Sequence, residues 1–199
     1  MKTIRYFFTP QSPWTYLGHE RLLAIARKHV AVIAPRPVAL GERVFPISGG
    51  LPLGKRSPQR QAYRLVELKR WSEFLGVPLN LRPKFFPVKE VDAATMIAAA
   101  IRSDGNAAAL KLAGGVFRAV WAQEADIADR DTLIRIAQEC GLDGERLYAA
   151  RESAQDLYEQ FTKEAIDLQV FGAPWYEYKG EPFWGQDRLD FLDRALSRS

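Results

Sequence analysis

Tyr6-Phe7-Phe8-Thr9-Pro10-Gln11-Ser12-Pro13-Trp14-Thr15-Tyr16-Leu17 runs a strand straight into a helix. Residues 2–9 are rich in Ile, Tyr and Phe with few polar breaks, the pattern of a strand buried on both faces. Ser12-Pro13 marks a helix start. A serine can cap the first exposed N–H groups, and a proline at the first helical position loses no hydrogen bond. The helix is predicted to reach about His29, and residues 30–38 to form a second strand that Pro35 and Pro37 limit near its end. This β-α-β order opens an α/β layer.

Beyond it the pattern changes. Residues 41–58 are rich in Gly and Pro and read as a loop, and residues 59–168 are almost entirely helical in periodicity. Ala62, Leu65, Leu68, Trp71 and Leu75 recur at spacings of three and four, as do Leu157, Phe161, Ala165 and Leu168. Leu110, Ala113, Phe117, Val120 and Trp121 do the same apart from the final adjacent pair. Further helices are predicted over residues 92–103 and 131–140, the second closed by Gly141. Strand character returns over residues 174–178 and 181–184 around a Lys179-Gly180 turn, and residues 186–196 form a last helix. The expected fold class is α/β, with an all-helical insertion between a β-α-β half and a β-β-α half. Residues 1–45 and 169–199 would make one discontinuous domain, and residues 59–168 the insertion.

Composition narrows the function. The 199 residues carry a formal charge of +4, with no run of like charges and no recognised nucleic-acid motif. The densest basic stretch holds Lys55, Arg56, Arg60, Arg64, Lys69 and Arg70. It reads either as a solvated helix face or as an attractor of small anions. The single cysteine, Cys140, allows no internal disulfide and reads as a packed side chain. No His/Cys/Asp cluster has metal-ligand spacing, so no metal is expected. No window approaches ~18 uninterrupted apolar residues and the N-terminal apolar stretch is too short for a signal segment, so a soluble cytoplasmic protein is expected. A Ser/His/Asp hydrolase is excluded by distance. His19 lies seven residues past Ser12, about 10 Å along a helix, and His29 lies farther.

Six stretches together carry a family resemblance: Ser12-Pro13-Trp14-Thr15-Tyr16-Leu17, residues 63–71, Asn80-Leu81-Arg82-Pro83-Lys84-Phe85-Phe86-Pro87, Ala119-Val120-Trp121-Ala122 with Asp126-Ile127-Ala128-Asp129, Val170-Phe171-Gly172-Ala173-Pro174, and residues 183–189. They resemble the 2-hydroxychromene-2-carboxylate isomerase family, relatives of kappa-class glutathione transferases and of DsbA-like thioredoxin folds. The resemblance spans nearly the whole chain and is weakest over residues 41–58. It implies a thioredoxin-like fold, glutathione as cofactor, a small aromatic carboxylate as substrate, and a homodimer without nucleic-acid or membrane partners. The implied reaction interconverts 2-hydroxychromene-2-carboxylate and trans-o-hydroxybenzylidenepyruvate, a step of aromatic catabolism such as naphthalene breakdown. A kappa-like transferase and a non-catalytic glutathione or small-acid binder are the alternatives.

The resemblance also assigns roles. Ser12 stands where a redox relative carries its first cysteine, so disulfide exchange gives way to stabilisation of a bound thiolate; read alone, Ser12 is an ordinary cap. The Ala173–Pro174 bond is expected to be cis, with the Ala173 backbone pairing with glutathione as an added strand would. Gln186 and Asp187 would hold the γ-glutamyl end at a helix start, Asp187 facing its ammonium. Arg60 would hold the glycyl carboxylate, with Arg56 and Lys55 competing for that role. Trp14, Phe85 and Phe86, with Lys84 or Arg82 near a substrate carboxylate, form either a substrate pocket or ordinary core.

Overall fold

The structure is a computed structural model and describes residues 1–198. Its sheet has four strands in the order β2-β1-β3-β4: β1 (Thr3–Phe8), β2 (Val32–Pro37), β3 (Trp175–Tyr178) and β4 (Glu181–Trp184). β1 pairs parallel with β2 and antiparallel with β3, and β3 pairs antiparallel with β4. The two ends of the chain therefore meet in one sheet, as the β-α-β and β-β-α patterns require. Prolines mark both edges: Pro35 and Pro37 on β2, and Pro182 on β4.

β1 is central, and its side chains alternate across the sheet. Ile4, Tyr6 and Phe8 enter one core with Leu22 of α1 (Pro13–Lys28) and Leu192 of the last helix, while Phe7 enters a second with Val38 and Phe161. Tyr6 lies opposite Tyr176 on β3, and their rings stack at 5.4 Å.

The chain between β2 and β3 is helical. After a short α2 (Phe45–Ser48) come α3 (Pro58–Leu75), α4 (Val91–Ser103), α5 (Gly105–Trp121), α6 (Arg130–Glu139), α7 (Gly144–Ala150) and α8 (Gln155–Asp167). α4 and α5 are buried along most of their length and share the larger core with β1. No helix among the described residues is long and apolar enough to cross a membrane.

Four features differ from the sequence expectations. The 41–58 segment is not featureless: a π-helical turn (Leu40–Val44) runs into α2, and a 3-10 turn (Leu53–Lys55) follows. Pro46 sits in the first turn of α2, where its missing N–H costs nothing, so proline-rich composition starts a turn here. The stripe on α3 is not a core stripe, since only Leu68 of its 18 residues is buried. α7 is a separate short helix, capped by Asp143. The last helix divides into a 3-10 turn (Gln186–Arg188) and α9 (Leu189–Ser197).

Candidate active site

Ser12 caps α1. Its backbone is extended at φ −76° and ψ 120°, and its Oγ accepts a hydrogen bond from the Thr15 N–H at 3.2 Å. A turn bond from Ser12 N–H to the Thr9 carbonyl, also 3.2 Å, sets up this approach. Only the acceptor side of the hydroxyl is used. Among the described residues its proton has no acceptor. The first turn of α1 carries no acidic residue, so no acid within that turn opposes an anion at the positive end of the helix. Thr15 adds a second unspent donor, because its Oγ1 is buried without a hydrogen-bond partner. A buried, unpaired hydroxyl carries a desolvation cost that no hydrogen bond among the described residues offsets.

Residues 9–12 are held from outside α1. Gln11 N–H donates to Glu90 Oε2 at 2.9 Å, Gln11 Oε1 accepts from Val88 N–H at 3.1 Å, and the Gln11 carbonyl accepts from Trp121 Nε1 at 3.2 Å. Burial pushes the Glu90 carboxyl up to about 7, despite the hydrogen bonds it receives from Gln11 and Thr9; Glu42 adds repulsion.

The Ala173–Pro174 peptide is cis, and so is Phe86–Pro87, which the sequence reading did not anticipate. Pro174 is buried and Ala173 half-buried, and the Pro174 carbonyl accepts from Gly185 N–H at 2.9 Å. Gln186 is buried against α1. Its side-chain and backbone oxygens accept from Arg21 Nη1 at 2.9 and 3.2 Å. Gly18 makes that packing possible, since a Cβ there would lie 2.7 Å from the Gln186 Cβ. Asp187 stays exposed, with Oδ2 2.8 Å from Arg188 Nη1. Gly185 has φ +99°, and a Cβ on it would lie 2.5 Å from Asp187 Oδ1.

The basic and aromatic candidates divide. Arg60 is exposed in the first turn of α3, where its N–H donates to Ser57 Oγ at 3.4 Å. Lys84 is exposed over the Phe85 ring at 5.0 Å, and Trp14 is half-buried. Phe86 lies 4.8 Å from the buried Trp121 ring. Between them sits a residue not singled out from the sequence: the Arg64 guanidinium lies 5.2 Å from the Phe86 centroid and 5.6 Å from that of Trp121. The signal available was its spacing, one helical turn past Arg60 on the same face.

His19 is buried, its Nε2 3.1 Å from the Leu110 carbonyl and its Nδ1 3.5 Å from the Tyr6 hydroxyl. Burial lowers it to about 4, so it is neutral and packed among aromatic rings, not a base for Ser12. No group of three or more His, Cys, Asp or Glu among the described residues could hold a metal ion. A groove of about 570 Å³ is lined by Val44, Ile47, Phe171 and Trp175, among others, and carries no charged side chain.

The DSBA-like thioredoxin domain matches residues 3–197. A 2-hydroxychromene-2-carboxylate isomerase of Sphingobium xenophagum is 29% identical over 98% of both chains. A glutathione S-transferase kappa 1 of Caenorhabditis elegans is 22% identical, over 98% of this chain and 91% of its own. The solved structure of a 2-hydroxychromene-2-carboxylate isomerase superposes with a TM-score of 0.82 at 24% identity, over 98% of this chain and 95% of that one.

Proposed function

The chain belongs to the DSBA-like thioredoxin domain family, and we propose that within it the protein is a glutathione-dependent isomerase of 2-hydroxychromene-2-carboxylate or a similar aromatic-catabolism intermediate. The observation that carries this reading is the start of α1. A serine caps the helix there, its proton is unspent, Thr15 holds a buried unpaired hydroxyl, and no acid lies in the first turn. That donor set fits a thiolate. When bound, glutathione supplies a nucleophile that adds reversibly to a conjugated carbon, so that a double bond can rotate.

The chain's own residues do the rest. Ser12 would donate a hydrogen bond from its hydroxyl to the sulfur, and the helix end favours the anion. The Ala173 backbone, next to the cis peptide, offers strand-like hydrogen bonds to the cysteinyl unit. Asp187 accepts from the γ-glutamyl ammonium in competition with Arg188, and Gln186 contributes through groups that Arg21 does not occupy. Arg60 faces solvent, where a glycyl carboxylate can reach it. A homodimer belongs to this reading, and Tyr63 and Phe74 on α3, 59% and 79% exposed, are apolar surface that a second copy would cover.

Calorimetric titration with glutathione tests the reading, alongside turnover with and without the thiol. Saturable binding is expected, weakened by about 1–3 kcal/mol in Asp187→Ala because a ligand charge loses its partner. Undiminished turnover without any thiol would sink the mechanism. The kappa relative supports a second reading, a transferase, which would consume glutathione stoichiometrically while an isomerase leaves its concentration unchanged.

A further inference from the structure

The cations at the start of α3 lack the carboxylate partners that several arginines elsewhere in the fold have. Arg5, Arg21, Arg36, Arg102, Arg146 and Arg151 each reach a carboxylate. Among the described residues none of Lys55, Arg56, Arg60 and Arg64 does. The nearest acids along α3 serve other cations, Glu67 pairing with Arg70 at 2.6 Å and Glu73 with Lys69 at 3.8 Å.

Of these four, Lys55 and Arg60 are exposed and can be satisfied by water. Arg56 spends its Nε on the Leu51 carbonyl at 2.8 Å. Arg64 is different: half-buried, it rests on two aromatic rings and makes no hydrogen bond among the described residues. A guanidinium stacked on rings gains cation–π energy but leaves its fork of N–H donors free. Burial pushes it down to about 10, and the nearby Arg56 charge pushes the same way. It remains protonated at neutral pH and costs desolvation energy that no carboxylate or hydrogen bond among the described residues offsets.

The rings beneath it lead to the reacting end. Trp121 donates through Nε1 to the carbonyl of Gln11, the residue before Ser12, and Phe86 packs on Trp121. A cation with an open fork beside the half-buried Phe86 ring, which the buried Trp121 backs, fits one chemical class, an aryl acid whose ring lies on Phe86 and whose carboxylate takes the fork. We propose that Arg64, beside Phe86 and supported from beneath by the buried Trp121, is the site for the carboxylate of the aromatic substrate. This rests on the isomerase reading and deepens it, placing the substrate anion on α3 in preference to the exposed Lys84. Glutathione is the other source of a carboxylate, through its glycyl end.

The test uses 3-phenylpropanoate, an aryl acid with no conjugated carbon for a thiol to attack. Its affinity is measured without glutathione in the wild type, Arg64→Gln and Arg64→Lys, and glutathione affinity is measured in the same proteins. Arg64→Gln is expected to weaken the aryl acid by about tenfold or more, with glutathione affinity and melting temperature retained. Arg64→Lys restores part of the affinity, since it keeps the charge without the fork. Equal aryl-acid affinity in wild type and Arg64→Gln, or no binding by the wild type, overturns the proposal. A parallel loss of glutathione affinity also overturns it, by giving Arg64 to the glycyl carboxylate. Arg64-dependent binding of the aryl acid in a protein that ignores glutathione keeps the site and removes the thiol reading instead.

Discussion

Glu90 and His19 bend the pH dependence of stability in opposite directions. Burial raises the Glu90 carboxyl from 4.5 to about 7, so the folded chain holds that proton more tightly than the unfolded one. Its contribution is fully present below pH 4.5 and is lost as pH rises through about 7. Burial lowers the His19 imidazole from 6.5 to about 4, so its contribution is present above 6.5 and is lost as pH falls through about 4. Each pH unit between the two values of a group changes stability by about 1.4 kcal/mol, which gives about 3 kcal/mol apiece. For Glu90 that figure is a ceiling, since the residue keeps some exposure. Between pH 4.5 and 6.5 the two slopes nearly cancel. Urea denaturation of wild type, Glu90→Gln and His19→Gln in half-unit steps across this range separates them. Glu90→Gln keeps an acceptor for the Gln11 N–H and should gain on the wild type steadily as pH rises, by up to about 3 kcal/mol near neutrality. His19→Gln should lose ground to the wild type over the same rise, because only the wild type regains its buried neutral imidazole. Variant curves parallel to the wild type would refute the burial argument for the group replaced.

Ser12→Ala should cost about 1 kcal/mol of stability, because it removes the cap bond to Thr15 N–H, and should raise the pKa of bound glutathione thiol in an ultraviolet thiolate titration. Ser12→Gly, a cheaper cap loss, should raise the thiol equally; a thiol unchanged in both variants would reduce Ser12 to a cap. Gly185→Ala meets both a positive φ of +99° and the Asp187 carboxylate, so calorimetry should show lost glutathione affinity together with a lower melting temperature. Wild-type affinity in Gly185→Ala would remove Asp187 from the site.

The sheet was legible because its strands obey one local rule. Ile4, Tyr6 and Phe8 alternate with Phe7, and both sets are large and apolar, which only a strand with a core on each face accommodates. The start of α1 was legible because Ser-Pro acts within one turn. What escaped was set by partners distant in sequence. Periodicity on α3 cannot say whether its stripe faces a core, and it buries only Leu68. The Phe86–Pro87 isomer is not decided by its own residues, since trans is the default for any such bond. Arg64 resembled five other basic residues in its stretch, and what sets it apart is contact with rings 22 and 57 positions away.

Gln11 shows how the helical segment bears on the reacting end. Its N–H, side-chain oxygen and carbonyl are all taken by residues from that segment: Glu90 and Val88 on the approach to α4, and Trp121 at the end of α5. One residue later the chain must deliver Ser12 in an extended conformation, so that its Oγ meets the Thr15 N–H. A turn with only its own Thr9–Ser12 bond would be free to fray, and a hydroxyl displaced by an ångström no longer meets a thiolate held elsewhere. The same Trp121 that fixes Gln11 also supports Phe86 and lies under Arg64. On the proposed reading the helical segment would therefore couple two positions that isomerisation needs at fixed separation, Ser12 as donor to the sulfur and Arg64 as grip on the substrate anion. A sheet with α1 alone could supply only the first.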